Sequence, residues 1–166
     1  MAVKKIPDGY HSVTPYLIIS GATEAIDYYK KAFGATELLR MPAPGGKIGH
    51  AEIKIGDSPI MLADEFPEMG YKSPTTLGGS PVSIMIYVAD VDTVFNQAIA
   101  AGGKEQRPVK DQFYGDRSGT LEDPFGHVWH VATHTEDLSH EEMERRASAH
   151  TAAATGTEPG AVATGS

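Results

Sequence analysis

Hydrophobic and polar residues alternate most regularly in two segments of the chain, Lys47 to Ile55 and His127 to His134. A period of two is typical of β-strands, because successive side chains point to opposite faces of a sheet. In the second segment Trp129 and Val131 share one face, whereas His130 lies on the other face among small residues. The alternation therefore predicts a strand with one face packed on a core and one face bordering an open space.

The remaining pattern predicts one order of elements twice: a strand, a helix and three further strands. The helices are indicated by apolar residues at helical spacing, and they end at Gly34 and at Gly102-Gly103. In the first unit the expected elements are Ser12–Ser20, Ala22–Phe33, Thr36–Met41, Lys47–Ile55 and Ile60–Ala63. In the second unit they are Val82–Val88, Asp90–Ala101, Lys104–Val109, Ser118–Glu122 and His127–Thr133.

A constant offset of 69 residues relates the two units. It places Ile19 on Val88, the helix-ending Gly34 on Gly103, and Met61 on His130. One offset across a whole unit indicates an internal duplication. A single unit cannot cover both faces of its sheet, so two units must pair. We therefore predict an α+β fold of two tandem β-α-β-β-β modules that form a cupped mixed sheet around a central cavity.

The ends of the chain differ from these modules in composition. Ser139 and Glu142 have the spacing of a capping box, which predicts a helix after them. The last residues are mainly Ala, Thr, Gly and Pro, which bury too little apolar surface to become ordered. The expected organisation is a lead-in (1–11), the first module (12–65), a linker (66–80), the second module (81–134), a C-terminal helix (135–150) and a disordered tail (151–166).

Composition and charge exclude several classes of function. The 166 residues contain no cysteine, which excludes disulfides, thiolate metal sites and cysteine nucleophiles. A formal net charge of −8, without a stripe of Lys and Arg, argues against nucleic acid as a partner. No apolar run approaches the roughly 20 residues that span a bilayer. The N-terminus has no apolar signal-peptide region, so we expect a cytoplasmic protein without a membrane partner.

The tandem module order and the strand, Asp-Pro-x-Gly turn and strand around Asp123–Gly126 resemble the vicinal oxygen chelate superfamily. This superfamily contains glyoxalase I, bleomycin-resistance proteins and extradiol dioxygenases. The resemblance covers about Ser12 to Thr133, and YGDRSGTLEDPFGHVW is similar to the phosphonate-operon-B-like, or demethylubiquinone-methyltransferase-like, branch. It implies the glyoxalase/bleomycin-resistance fold, a small-molecule ligand or substrate, and a homodimer with pockets built across a two-fold interface.

The resemblance also implies four metal-ligand positions on the first, fourth, fifth and eighth strands. Those positions are occupied here by Thr14, Met61, Ser83 and His130. Divalent Zn, Ni, Fe and Mn prefer imidazoles and carboxylates, so only His130 is a good ligand. We therefore expect the four-ligand metal site to be largely lost and no cofactor to be needed.

A rebuilt metal site remains an alternative. His50 and Glu52 share one face of their strand and could join His130 as ligands of Zn, Ni, Fe or Mn. The pairing assumed is Ile55 opposite Ile60, which would place the pair on the cavity side. The opposing interpretation is that His50 and Glu52 lie on the solvated face of an outer strand.

Two functions follow as hypotheses. The first is a binding module, and the second is a lyase, isomerase or dioxygenase in which Glu52 or His130 accepts a proton beside a metal-held substrate. An accessory protein with a vestigial pocket is a third interpretation. Arg117 could hold a carboxylate while Tyr114 stacks on a ring, although a plain exposed turn explains Arg117 as well. The pocket is expected to be lined by Thr14, Tyr16, His50, Glu52, Met61, Ser83, Met85 and His130.

Overall fold

The structure, a computed structural model, describes residues 3–156. The first module contains β1 (Tyr16–Ile19), α1 (Ala22–Phe33), β2 (Thr36–Pro42), β3 (Ile48–Ile55) and β4 (Ser58–Asp64). A one-turn helix, α2 (Pro74–Leu77), lies in the segment between the modules. The second module contains β5 (Ser83–Tyr87), α3 (Val91–Ala100), β6 (Lys104–Asp111), β7 (Asp116–Glu122) and β8 (Val128–His134). The helix α4 (His140–Thr155) follows.

Each module forms its own four-stranded sheet. The strand orders are β1-β4-β3-β2 and β5-β8-β7-β6. In each sheet the first strand of the module pairs in parallel with the last strand, and the other pairs are antiparallel. Tyr16 lies opposite Met61, and Met85 lies opposite His130, so the 69-residue offset holds for the parallel strand pair of each sheet. The prediction of an α+β fold with two tandem modules is confirmed.

One hydrophobic core joins the two modules. It lies between the sheets and the helices α1 and α3, which also pack on each other. Trp129 is fully buried there, with ring centroids 5.3 Å from Tyr29 and 4.7 Å from Phe33. The expectation that the face of the strand with Trp129 packs on a core is therefore confirmed. The opposite side of each sheet, which we call its open face, carries the half-exposed His50 and His130.

A buried carboxylate fastens the first module to the second. Asp123, in the turn between β7 and β8, is 3% exposed. Its Oδ1 accepts the backbone N–H groups of Phe125 (2.9 Å) and His127 (3.0 Å). Its Oδ2 accepts the hydroxyl of Tyr29 from α1 (2.7 Å) and the indole N–H of Trp129 (2.9 Å). Burial and the nearby carboxylate together raise the pKa of Tyr29 well above its ordinary value.

The pairing of β3 with β4 differs from the expected register by two residues. Ile55 lies opposite Ser58 rather than Ile60, and Glu52 lies opposite Met61. The cause is a tight two-residue turn in which Gly56 has φ +57°, a left-handed conformation that glycine accepts without strain. Glu52 and Met61 are thus direct neighbours on the open face of the first sheet.

The C-terminal helix is longer than the sequence predicts. It continues to Thr155, so the expectation of disorder is wrong for residues 151–155. Three alanines favour the helix, and the hydroxyl of Thr151 donates to the carbonyl of Ala147 at 3.0 Å. The rest of the expected tail, residues 157–166, lies outside the described residues. Across residues 3–156, no helix is long and apolar enough to cross a membrane.

Replacing Asp123 with Asn tests the junction between the modules. We expect D123N to lower the free energy of unfolding by about 2–4 kcal/mol. The amide NH₂ of asparagine is a donor where a carboxylate oxygen was an acceptor, so buried donors such as the Trp129 N–H lose their acceptor. Urea unfolding at pH 7 measures the loss. The matched control D27N alters an exposed carboxylate of α1 and should cost about 0.5 kcal/mol or less. Equal losses in the two variants would contradict the role of Asp123.

Candidate functional site

His130 lies at the centre of the open face of the second sheet. Its neighbours across the strands are Met85 on β5 and Thr120 on β7. The ring Nδ1 is 2.9 Å from the Thr120 hydroxyl, and the ring Nε2 is 3.0 Å from the Ser83 hydroxyl. Both ring nitrogens therefore have hydroxyl partners, which fix the orientation of the imidazole.

The four positions that the resemblance assigns to metal ligands do not fit a divalent cation. They supply one imidazole, the thioether of Met61 and the hydroxyls of Thr14 and Ser83. Within residues 3–156, no group of three or more His, Cys, Asp or Glu side chains could hold a metal ion. The structure therefore does not bring His50, Glu52 and His130 together as a ligand set.

A cavity of about 490 Å³ borders the open face of the second sheet. One wall is the loop after β6, where Phe113 and Tyr114 pack edge to face with ring centroids 5.3 Å apart. His150 from α4 stacks on Phe113 at 5.1 Å, so the C-terminal helix contributes to the wall. Polar and charged residues complete the lining: Arg107, Lys110, Gln112, Ser118, Thr120 and His130.

The first sheet carries a chain of polar side chains on its open face. The hydroxyl of Tyr10 donates to Glu52, whose Oε1 is 3.0 Å from Nε2 of His50. Nδ1 of His50 is 2.8 Å from the hydroxyl of Tyr16. The bonds from Tyr10 and His50 lower the pKa of Glu52, and the bond to Glu52 raises the pKa of Tyr10 to about 12.

Another cavity, of about 440 Å³, borders the first sheet beside this chain; we call it the first cavity and the one beside His130 the second cavity. Tyr16 lines it together with three residues of the segment that the sequence assigned to a linker: Phe66, Met69 and Tyr71. A backbone bridge between Phe66 and Tyr71 folds this segment over the sheet. The linker thus has a structural role at the first cavity that its polar composition did not indicate.

The expected site residues are divided between the modules. Tyr16, His50, Glu52 and Met61 lie on the open face of the first sheet. Ser83, Met85 and His130 lie on the second sheet, and Tyr114 lines the second cavity. Thr14 precedes β1 and lines neither cavity. Of the predicted lining set, Tyr16 borders the first cavity and His130 borders the second, and the other members do not line either cavity.

Arg117 does not reach the second cavity. Its guanidinium bonds Asp92 of α3 at 2.7 and 2.8 Å and Asp111 at 3.1 Å, which places it on the helix side of the sheet. The cations that do line the cavity, Arg107 and Lys110, were not predicted from the sequence. The available signal was Pro108 between them, because proline within a strand indicates an edge or a bulge.

The two-module α+β fold agrees with the comparison with known protein families. Residues 10–131 match the Glyoxalase/Bleomycin resistance protein/Dioxygenase superfamily. The chain belongs to this superfamily.

Three relatives illustrate its range. An uncharacterized protein of Mycobacterium bovis is 43% identical over 136 residues, which cover 80% of this chain and 90% of the relative. A solved protein of Pseudomonas aeruginosa is 28% identical with a TM-score of 0.63 and covers 76% and 99% of the two chains. A Bacillus cereus PhnB protein, titled a putative 3-demethylubiquinone-9 3-methyltransferase, is 19% identical with a TM-score of 0.57 and covers 74% and 99%. This last likeness concerns the fold alone.

Replacing Tyr10 with Phe tests the polar chain of the first module. We expect Y10F to raise the pKa of Glu52 towards its ordinary value, measured by NMR titration of the carboxyl carbon. A lowered pKa in the folded state stabilises the protein above the pKa of the unfolded state, and this stabilisation is lost as pH falls through the folded pKa. The stability loss in Y10F should therefore be larger at pH 7 than at pH 2.

The control for this experiment is Y71F, which removes the hydroxyl of a tyrosine at the first cavity that is not bonded to Glu52. An unchanged Glu52 pKa in Y10F, or an equal change in Y71F, would show that Tyr10 does not hold the carboxylate.

Proposed function

We propose that this protein binds an organic small molecule in the cavity around His130 and no longer uses the four-ligand metal centre of its superfamily. One observation carries the proposal: both ring nitrogens of His130 are engaged by hydroxyls, those of Thr120 and Ser83. An imidazole binds a metal through a ring nitrogen, so coordination would require one of these bonds to break. The other three positions offer no strong ligand in return.

The dimensions and walls of the cavity support an organic ligand. A volume of about 490 Å³ lies within the usual range for small-molecule sites, roughly 300–1,000 Å³. Phe113 and Tyr114 offer flat apolar surfaces, and hydroxyls from Ser118 and Thr120 offer directional hydrogen bonds.

A second candidate function is a metal-dependent lyase, isomerase or dioxygenase. It is favoured by the contact between His50 and Glu52, 3.0 Å apart on the open face of the first sheet. The lowered pKa of Glu52 keeps its carboxylate ionised at neutral pH, as a metal ligand must be. In this alternative His50 and Glu52 would hold Zn, Ni, Fe or Mn, and His130 would join them only after a rearrangement, because the structure keeps it apart from the pair.

Elemental analysis of protein purified without chelator separates the two functions. We expect less than one tenth of an equivalent of any transition metal, and no rise in melting temperature when Zn²⁺, Ni²⁺, Fe²⁺ or Mn²⁺ is added to stripped protein, because a bound metal would stabilise the fold by mass action. Stoichiometric metal that is lost in both H130A and E52Q would instead support the enzyme. H140A, which changes an exposed histidine of α4, is the matched control.

We also propose that the protein forms a homodimer through its open faces. The edge strand β5 and the residues before it expose large apolar side chains, with Val82 68% and Tyr87 62% exposed. Met85 between them and Tyr16 on β1 continue this surface. Contiguous exposed apolar side chains mark interaction surfaces, and a second copy would cover both open faces by symmetry.

Sedimentation equilibrium tests the dimer. We expect twice the mass of one chain for the unmodified protein, and a mass shifted towards that of one chain for M85E, because a buried charge opposes association. The control V3E places the same charge on an exposed valine of the lead-in and should leave the dimer intact. A monomeric unmodified protein would contradict the proposal.

A further inference from the structure

Two cations of the edge strand β6 lie on the same side as His130. Arg107 is paired with Thr120 and Lys110 with Ser118, and directly opposed residues of an antiparallel pair share a face. Residues three apart in a regular strand would face opposite ways. A bulge around Pro108 inserts the extra residue that turns both cations to the open face.

Neither cation is paired with a carboxylate among the described residues. In the part of the chain that the structure describes, no side chain forms an ion pair or hydrogen bond with Arg107 or Lys110. No Asp or Glu among the described residues lines their cavity, although the whole chain has a net charge of −8. The nearest carboxylate along the strand, Asp111, is bound by Arg117 on the other side of the sheet.

Two carboxylates of β7 share this face, Asp116 and Glu122, and Glu122 accepts a hydrogen bond from the amide of Gln106 at 2.8 Å. Asp116 is buried, and its two oxygens accept the hydroxyl of Tyr87 (2.8 Å) and contact Nδ1 of His134 (2.7 Å). Asp116 and Glu122 thus have other partners, and neither forms an ion pair with Arg107 or Lys110. The cavity of the first module differs, because Asp64 lines it and no Lys or Arg within residues 3–156 does.

We propose that the second cavity selects small molecules that carry an oxyanion on a flat ring, an inference that rests on the proposed small-molecule site. Arg107 and Lys110 hold the carboxylate, phosphate or phosphonate group through charge-assisted hydrogen bonds. The ring lies against Phe113 and Tyr114, which both line the same cavity. The hydroxyls of Ser118 and Thr120 are within the lining and supply further donors to the anion.

Isothermal titration of the full chain, stripped of metal, tests this selectivity with matched probes. The probes share a naphthalene ring and differ in one group: carboxylate, phosphonate, neutral carboxamide and aminomethyl cation. We expect at least one of the two anions to bind about tenfold or more tightly than the carboxamide, and the cation to bind weakest. The two anions also separate a carboxylate ligand from a phosphonate or phosphate ligand.

Charge-removing variants locate the interaction. R107Q and K110Q should each weaken binding of the preferred anion about tenfold and leave the affinity for the carboxamide unchanged. The matched control is K104Q, which removes an equal charge from an exposed lysine of the same strand outside the cavity. An equally large loss of affinity in K104Q would show that overall charge, and not contact with Arg107 and Lys110, attracts the anion. That result would overturn the inference.

The remaining outcomes separate this inference from the proposed function. Equal affinity for the carboxamide and the anions, with NMR shifts at Phe113 and Tyr114, would overturn anion selectivity and leave small-molecule binding intact. If no probe binds at millimolar concentration, the anion inference is overturned. Metal uptake by the stripped protein is a separate result, and it would reject the proposed function.

Discussion

The structure depends on one buried carboxylate, that of Asp123. Its four hydrogen bonds join the turn before β8, the indole of Trp129 and the hydroxyl of Tyr29 from the other module. A buried charge is stable only when its partners are complete, so this group requires a single arrangement of the two modules. The same bonds hold Trp129 beneath α1. Because successive residues of a strand point to opposite faces, His130 then lies on the open face.

The two open faces have diverged although the modules share one register. Glu52 and Thr120 are equivalent, because the first lies opposite Met61 and the second opposite His130. The first face carries a carboxylate, an imidazole and two phenols in one hydrogen-bonded chain. The second carries an imidazole between hydroxyls, with two cations nearby that are not paired with a carboxylate among residues 3–156. We infer that the duplicated frame supports different chemistry in its two halves.

Much of the fold could be predicted from the sequence, because alternation, helix-ending glycines and the 69-residue offset are local or repeated signals. The position of His130 followed from the same period of two. The site as a whole could not be predicted, because its contacts depend on distant residues and on local irregularities. Tyr10 reaches Glu52 across 42 residues, and the bulge at Pro108 reverses the face of Lys110 relative to simple alternation. The error at Arg117 was avoidable. Arg117 and Ser118 are adjacent in one strand, so their side chains point to opposite faces, and Arg117 lies on the helix side.

The central claim is that His130 is a hydrogen-bonded member of an organic site rather than a metal ligand. The most direct measurement is the ¹⁵N spectrum of its ring while Zn²⁺ is added to the stripped protein, with the exposed His140 ring as internal reference. The account predicts that both His130 ring nitrogens keep their chemical shifts at one equivalent of Zn²⁺, because the Thr120 and Ser83 hydroxyls remain their partners. A stoichiometric shift of one His130 nitrogen would show coordination and contradict it.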